Sequence, residues 1–171
     1  MTNPQPQVQT VDGKRSFTCF PVAILVFIIN EQEEFLLLSH PERGGKWEVV
    51  SGGLESNETL LEGALRETRE EAGSSIRVRP LGTVHAFTFH YDEDVRFTLS
   101  ISYLMAYEGG EIQPGGDMEG SSYRWFSLED LSFEDIELIL PVRKWITQRA
   151  IELYRLFKQQ RIDLEPSLPM E

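Results

Sequence analysis

The chain has 171 residues, with 16 lysines and arginines against 28 acids and a formal net charge of -12. So acidic a chain lacks the clustered positive charge that a nonspecific grip on DNA or RNA requires, and no apolar run reaches the ~18 residues of a membrane span. Cys19 is the only cysteine, which excludes an intrachain disulfide and a cysteine-rich zinc site and is compatible with a reducing cytoplasm.

Residues 1–16 are polar, with two prolines and three glutamines in the stretch MTNPQPQVQTVDGKR, and read as a flexible N-terminal arm. Lys14 and Arg15 precede the apolar run Val22 to Ile29, but that run is short, an acidic segment follows, and no small-residue cleavage site is present; the run reads as a buried strand. Cys19 to Ile29 is predicted as the first long strand, Asn30 to Glu34 as a polar turn, and Phe35 to Ser39 as the return strand of a hairpin. His40 to Gly45, with Arg43, is a loop. Trp47 to Val50 is a short strand that feeds Ser51, Gly52 and Gly53. Past the middle of the chain, Ile76 to Arg79 reads as a short strand broken by Pro80 and Gly82. Thr83 to Tyr91 places His85, Phe87, Phe89 and Tyr91 on one face, and Val95 to Tyr107 alternates apolar residues with Arg96, Thr98, Ser100 and Ser102. Glu108 to Gly120 is a glycine-rich loop holding Asp117 and Glu119. Tyr123 to Ser127 is a last short strand, and Leu128 to Leu131 one helical turn. Pro141 opens a helix whose broad apolar side takes in Val142, Trp145, Ile146, Ile151, Leu153, Leu156 and Phe157. Residues 160–171 read as a flexible tail. The order of elements fits one domain over 17–159, an α/β sandwich with helices over a mixed sheet.

The chemistry concentrates between Gly52 and Ser74, GGLESNETLLEGALRETREEAGS. Thr59 and Glu62 form a capping box that starts a helix at Leu60, and Gly73 ends it. Leu60, Leu61, Ala64, Leu65 and Ala72 gather into an apolar stripe, with the acids expected on another face. Glu67, Glu70 and Glu71 fall at i, i+3 and i+4. Like charges so spaced repel unless something positive sits among them, and a hard divalent cation is the simplest candidate. The plain alternative, a solvated acidic face, does not account for the glycine turn and Arg66.

These positions resemble the Nudix box, GX5EX7REUXEEXGU with U aliphatic. Gly52 is its first glycine, Glu58 its first acid, Arg66 and Glu67 its RE pair, Glu70 and Glu71 its EE pair, and Gly73 its last glycine. Thr68 and Ser74 depart from it, standing where aliphatic residues are usual. The resemblance implies an α/β/α sandwich with the box as a loop–helix–loop beside the sheet. It implies a hydrolase that cuts a phosphoanhydride bond of a nucleotide with Mg2+, or Mn2+. Glu67, Glu70 and Glu71 are then metal ligands, joined by a backbone group at Ser51. Glu67 is equally a candidate base, and Arg66 orients a glutamate. Glu58, Gly52, Gly53 and Gly73 shape the turn and its support.

Nudix hydrolases often place a further acid in a later loop, and spacing favours Glu119 over Asp117. Tyr91 stands where diadenosine polyphosphate hydrolases carry a tyrosine, and Phe87 and Arg43 are further substrate contacts; for Tyr91 the alternative is that it simply finishes a strand face. The substrate class expected is a nucleoside triphosphate or dinucleoside polyphosphate, a small molecule rather than a nucleic acid polymer or a membrane. Exposed strand edges are compatible with a homodimer. Two other classes share these features: a nucleotide-binding module that does not cut, and an isomerase of isopentenyl diphosphate, for which Cys19 is poorly placed.

Overall fold

The computed structural model describes residues 5–93, 97–132, 138 and 144–160. A short hairpin, β1 (Gln7–Gln9) and β2 (Ser16–Thr18), precedes the main sheet. The stretch expected as a flexible arm therefore holds paired strands, with every residue of both exposed. The sheet is built from β3 (Val22–Ile29), β4 (Phe35–Ser39), β5 (Trp47–Glu48), β6 (Val50–Gly53), β7 (Arg77–Phe89), β8 (Thr98–Gly109) and β9 (Tyr123–Phe126). Helices α1 (Leu60–Ala72) and α2 (Lys144–Phe157) complete the fold.

The order β5-β4-β3-β8-β7 runs across the sheet, with β6 paired to β3 and β9 to β4. β3 and β8 run parallel and the other pairs antiparallel, so the sheet is mixed. Alternate residues of β3 feed two cores. Leu25, Phe27 and Ile29 pack with Ile146, Ala150, Ile151 and Tyr154 of α2. Ile24, Val26 and Ile28 pack with Ala64 and Ala72 of α1. Burying each such aliphatic side chain contributes on the order of 1.5–3 kcal/mol. The architecture is the expected α/β/α sandwich.

Several local expectations differ from what the chain forms. The first long strand starts at Val22 and not at Cys19, whose N–H donates to Pro6 O at 2.7 Å beside the first hairpin. Pro80 and Gly82 do not end a strand. β7 runs through them with a register shift between the two, which an edge strand tolerates because, among the described residues, no strand pairs with its outer side. The polar residues of β8 do not face solvent: Thr98, Ser100 and Ser102 are buried, because this face of the sheet is also covered. On α2, Trp145 and Leu156 are exposed, whereas Ala150 and Tyr154 are in the core. Leu128 to Leu131 yields a 3-10 turn at Asp130–Ser132. The expected start of the β8 strand at Val95 and Arg96, the helix start at Pro141 with Val142, and the tail from Arg161 lie outside the described residues.

Candidate metal and nucleotide site

Helix α1 forms as its caps dictate. The Thr59 hydroxyl accepts the Glu62 amide at 3.2 Å, and the Glu62 carboxylate accepts the Thr59 amide at 2.8 Å. Gly73 closes the helix at φ +115°, where its missing Cβ also lets Gln113 approach. The loop after β8 then docks on the helix end: Gln113 N–H donates to Ala72 O at 2.9 Å, and Gly115 N–H to Glu71 O at 3.2 Å. These bonds supply carbonyls that the last turn leaves open. They also carry Asp117, on a 3-10 turn at Gly116–Met118, to the helix's acidic side.

The acids do not all leave the packed face as expected. Gly63, Ala64, Glu67, Thr68, Glu71 and Ala72 are the buried residues of α1, so Glu67 and Glu71 point between the helix and the sheet while Glu70 is exposed. Glu71 Oε2 accepts the Ser51 amide at 2.8 Å. The Glu67 carboxylate lies over Gly52 so closely that a Cβ there would stand 1.9 Å from Oε1. Thr68 fits its aliphatic position by giving its hydroxyl proton to Ala64 O at 2.7 Å. Ser74 is exposed, and Ile76 supplies the apolar contact beyond the helix end.

Arg66 ties the turn to the helix. Its guanidinium donates to both oxygens of Glu58 at 3.0 and 2.8 Å, to Glu67 Oε1 at 2.7 Å, to Glu70 Oε2 at 3.1 Å and to Gly53 O at 2.9 Å. All of a guanidinium's N–H groups are thereby used, far from the loose surface pair that chance would supply. Glu58 also accepts the Glu55 amide at 2.7 Å. Arg66 holds Glu58 below the ordinary carboxylate range, and the carboxylates, Glu58 foremost, hold the guanidinium firmly charged.

Burial sets the opposite trend nearby. It pushes Glu71 up to about 8, reinforced by Glu67, Glu48 and Asp117 and opposed by the Ser51 amide. Burial also raises Glu67 against the pull of Arg66, and raises Glu48 against Arg43 and His40. Among the described residues, no three histidine, cysteine, aspartate or glutamate side chains stand close enough to share one ion. The donor chemistry nevertheless fits a hard divalent cation. Glu67, Glu70 and Glu71 each have one oxygen tied, to Arg66 or Ser51, and among the described residues the other takes no hydrogen bond from the protein. Burial, and then the neighbouring acids, disfavour the ionised forms of Glu67 and Glu71, and a bound cation would relieve both.

Beside this helix lies a cleft of about 1100 Å³. Ser51, Gly52, Gly53 and Glu71 line it, together with Arg43, Phe87 and Tyr91, so all three expected substrate contacts share one cavity with the end of the acidic set. His85, Phe87, Phe89 and Tyr91 form a row, with successive ring centroids 5.7, 6.0 and 6.2 Å apart, and Trp145 meets His85 edge-on at 4.8 Å. Thr98 and Ser100 lie along it too. Glu119, the loop acid favoured by spacing, is exposed and does not line the cleft; Asp117 does. Docking of the loop on the helix end brings Asp117, and not Glu119, to the cleft wall, and spacing alone does not reveal that contact. Glu48 and His40 also line the cleft and were not singled out by the sequence, although a lone acid inside the apolar strand Trp47 to Val50 was a usable signal.

The family model described as the NUDIX domain matches residues 20–149. An NAD-capped RNA hydrolase NudC from Vibrio parahaemolyticus is 28% identical over 127 residues, which is 73% of this chain and 44% of that protein. The chain thus spans less than half the length of this curated relative. A NUDIX-family hydrolase structure from Clostridium perfringens superposes with a TM-score of 0.62 at 21% identity, covering 79% of this chain and 98% of that one. An ADP-ribose pyrophosphatase structure from Streptococcus suis gives 0.61 at 19% identity, covering 86% and 97%.

Proposed function

The chain belongs to the Nudix family, and from that premise we propose that it is a Mg2+-dependent hydrolase that cuts a phosphoanhydride bond of a nucleotide. The observation that carries this reading is the pattern on α1: three glutamates, each with one oxygen fixed and one open, next to a cleft lined by aromatic rings.

In this reading Glu70 and Glu71 would hold the cation through their open oxygens, with Mn2+ as an alternative ion, and Glu67 keeps its open oxygen for the part of the base. The cation supplies neutralisation of phosphate charge and a water made more acidic. Arg66 keeps Glu67 and Glu70 in place, and Glu58 and Gly53 O keep Arg66 in place. Glu67, its proton affinity raised by burial, accepts the proton of the attacking water. The water oxygen bonds to phosphorus as the bridging P–O bond breaks, and the two phosphorylated fragments leave separately. Asp117 takes the role expected of Glu119, as the loop acid facing Glu71. Arg43 meets a phosphate that does not react, and Phe87 and Tyr91 meet the base.

The substrate we favour is a nucleoside triphosphate or dinucleoside polyphosphate. The relative named for NAD-capped RNA and the structure named for ADP-ribose widen the set to be tested to other dinucleotide pyrophosphates. No helix among the described residues is long and apolar enough to cross a membrane.

The test is a panel of nucleoside triphosphates, diadenosine polyphosphates, NAD, ADP-ribose and an NAD-capped oligoribonucleotide, incubated with Mg2+ and either the wild-type chain or Glu70→Gln, with products identified by mass. Cleavage that needs Mg2+ and drops at least ~100-fold in the variant supports the hydrolase. Binding of nucleotides with no cleavage by the wild type would instead support a binding module, in keeping with the absence of a three-acid cluster among the described residues.

A further inference from the structure

Among the described cleft-lining residues, Arg43 is the one lysine or arginine, set against Glu48, Glu71 and Asp117. A nucleotide entering this cleft brings more negative charge. Any phosphate not held by a cation then depends on Arg43. The Arg43 side chain is 55% exposed, and one of its N–H groups reaches Glu48 Oε2 at 3.3 Å. Among the described residues its remaining donors have no protein partner.

Glu48 is the unexpected member of this group. It is 5% exposed, and its Oε1 is a buried side-chain oxygen with no hydrogen bond. A buried carboxylate is costly unless donors surround it. Two stand beside it, Arg43 and His40. The latter is the fixed one. Its backbone N–H donates to Lys46 O at 2.8 Å, its carbonyl accepts the Arg43 and Gly45 amides at 3.3 and 3.0 Å, and its Nδ1 accepts the Glu42 amide at 3.2 Å. With Nδ1 accepting, neutral His40 carries its proton on Nε2, which faces Glu48 Oε1 at 3.5 Å. The loop from His40 to Lys46 closes on the His40 backbone, and the imidazole takes the Glu42 amide and backs one carboxylate. Through its second oxygen the carboxylate meets a guanidinium with donors to spare.

We propose that Glu48 is a positioning residue. It holds Arg43 at the cleft wall so that the free face of the guanidinium receives a phosphate oxygen of a nucleotide, and His40 in turn fixes Glu48. The proposal rests on the reading of the cleft as a nucleotide site.

The experiment is a double-mutant cycle with Arg43→Ala, Glu48→Gln and the two combined, reading kcat and KM on the best substrate of the panel and Kd for ADP by calorimetry in EDTA. Arg43→Ala is expected to raise KM and Kd on the order of 10-fold, as for loss of a charge-assisted hydrogen bond, with kcat within ~3-fold. Glu48→Gln is expected to raise both in the same direction by ~3- to 10-fold. The double variant is expected to be no worse than Arg43→Ala alone. Additive effects in the double variant would overturn the proposal, since Glu48 would then act without Arg43. So would tighter ADP binding by Glu48→Gln, which would make Glu48 a competitor of the phosphate. A fall in kcat of ~100-fold with KM unchanged would overturn it too, placing Glu48 in the reaction. Should Glu48→Gln not fold, Arg43→Lys serves: it keeps the charge but not the planar fork, and wild-type KM and Kd in that variant would refute a positioned guanidinium. If the wild type binds ADP but cuts nothing, the hydrolase reading fails while the Kd cycle still decides this one.

Discussion

Replacing Gly52 by alanine tests how tightly the site depends on one carboxylate. The backbone at Gly52 is not in a conformation reserved for glycine, so the perturbation is the methyl group alone. That methyl would stand 1.9 Å from Glu67 Oε1, 2.0 Å from its Cδ and 2.3 Å from Oε2. Restoring ordinary contact requires the carboxylate to retreat by at least about 1.5 Å. The obstructing atoms are the end of a flexible side chain, so the fold absorbs the change; an off-rotamer Glu67 costs on the order of 1 kcal/mol. The site does not absorb it. Glu67 leaves its 2.7 Å contact with Arg66 and its station over Gly52, near Glu71. A misplacement of ~1 Å in a reacting group costs on the order of 100-fold in rate, about 2.7 kcal/mol of barrier. Gly52→Ala should thus lose ~100-fold in kcat/KM on the substrate identified by the panel while its thermal midpoint falls by no more than a few degrees. A kcat/KM within ~3-fold of the wild type would refute the assignment of a positional role to Glu67.

Gly110→Ala should behave in the opposite way: its Cβ would meet the Ser75 carbonyl oxygen at 2.1 Å, at φ +98°, so urea denaturation should show a loss of ~2 kcal/mol or more, with kcat largely retained in the folded fraction. Thr59→Ala removes the side-chain half of the capping box and should lower stability by about 1 kcal/mol, read from the denaturation midpoint. In EDTA the chain should lose stability as pH rises toward 8. Glu71 binds its proton more tightly folded than unfolded, so its contribution is full below ~4.5 and is lost as pH passes about 8; Glu67 and Glu48 act in the same direction. The slope from one such group is at most about 1.4 kcal/mol per pH unit. Saturating Mg2+ should flatten it between pH 6 and 8, and an unchanged slope would mean that the buried acids do not meet the ion.

What the sequence made legible was whatever is local. Thr59 and Glu62 announce the start of α1, Gly73 its end, and the unbroken apolar run Val22 to Ile29 a buried strand. Long-range contacts set the remainder. Nothing near Thr98, Ser100 or Ser102 says that their face is covered, because α2 and the cleft come from elsewhere in the chain. Proline at 80 signals a break unless the strand is known to be an edge, and edge status depends on the sheet order. For the site, the spacing of Glu67, Glu70 and Glu71 was readable, yet which of them face the sheet depends on where α1 packs. Asp117 and Glu119 differ in the loop by two residues and could be told apart only once Gln113 and Gly115 were seen to bind the helix carbonyls.

The irregular edge at β7 bears on how copies of this chain can meet. An open strand edge is a template on which a neighbour can add its own strand, continuing one sheet across two molecules. Along β7 that continuation is interrupted: Pro80 has no amide hydrogen to offer, and the register slips around it and again between Thr83 and His85. A second molecule laid along this side would meet one residue with no donor and a pleat out of step within a few residues. Sheet extension along β7 is therefore disfavoured by the backbone itself. The same interruption works against fibrillar pairing of this thirteen-residue strand while the chain is still folding.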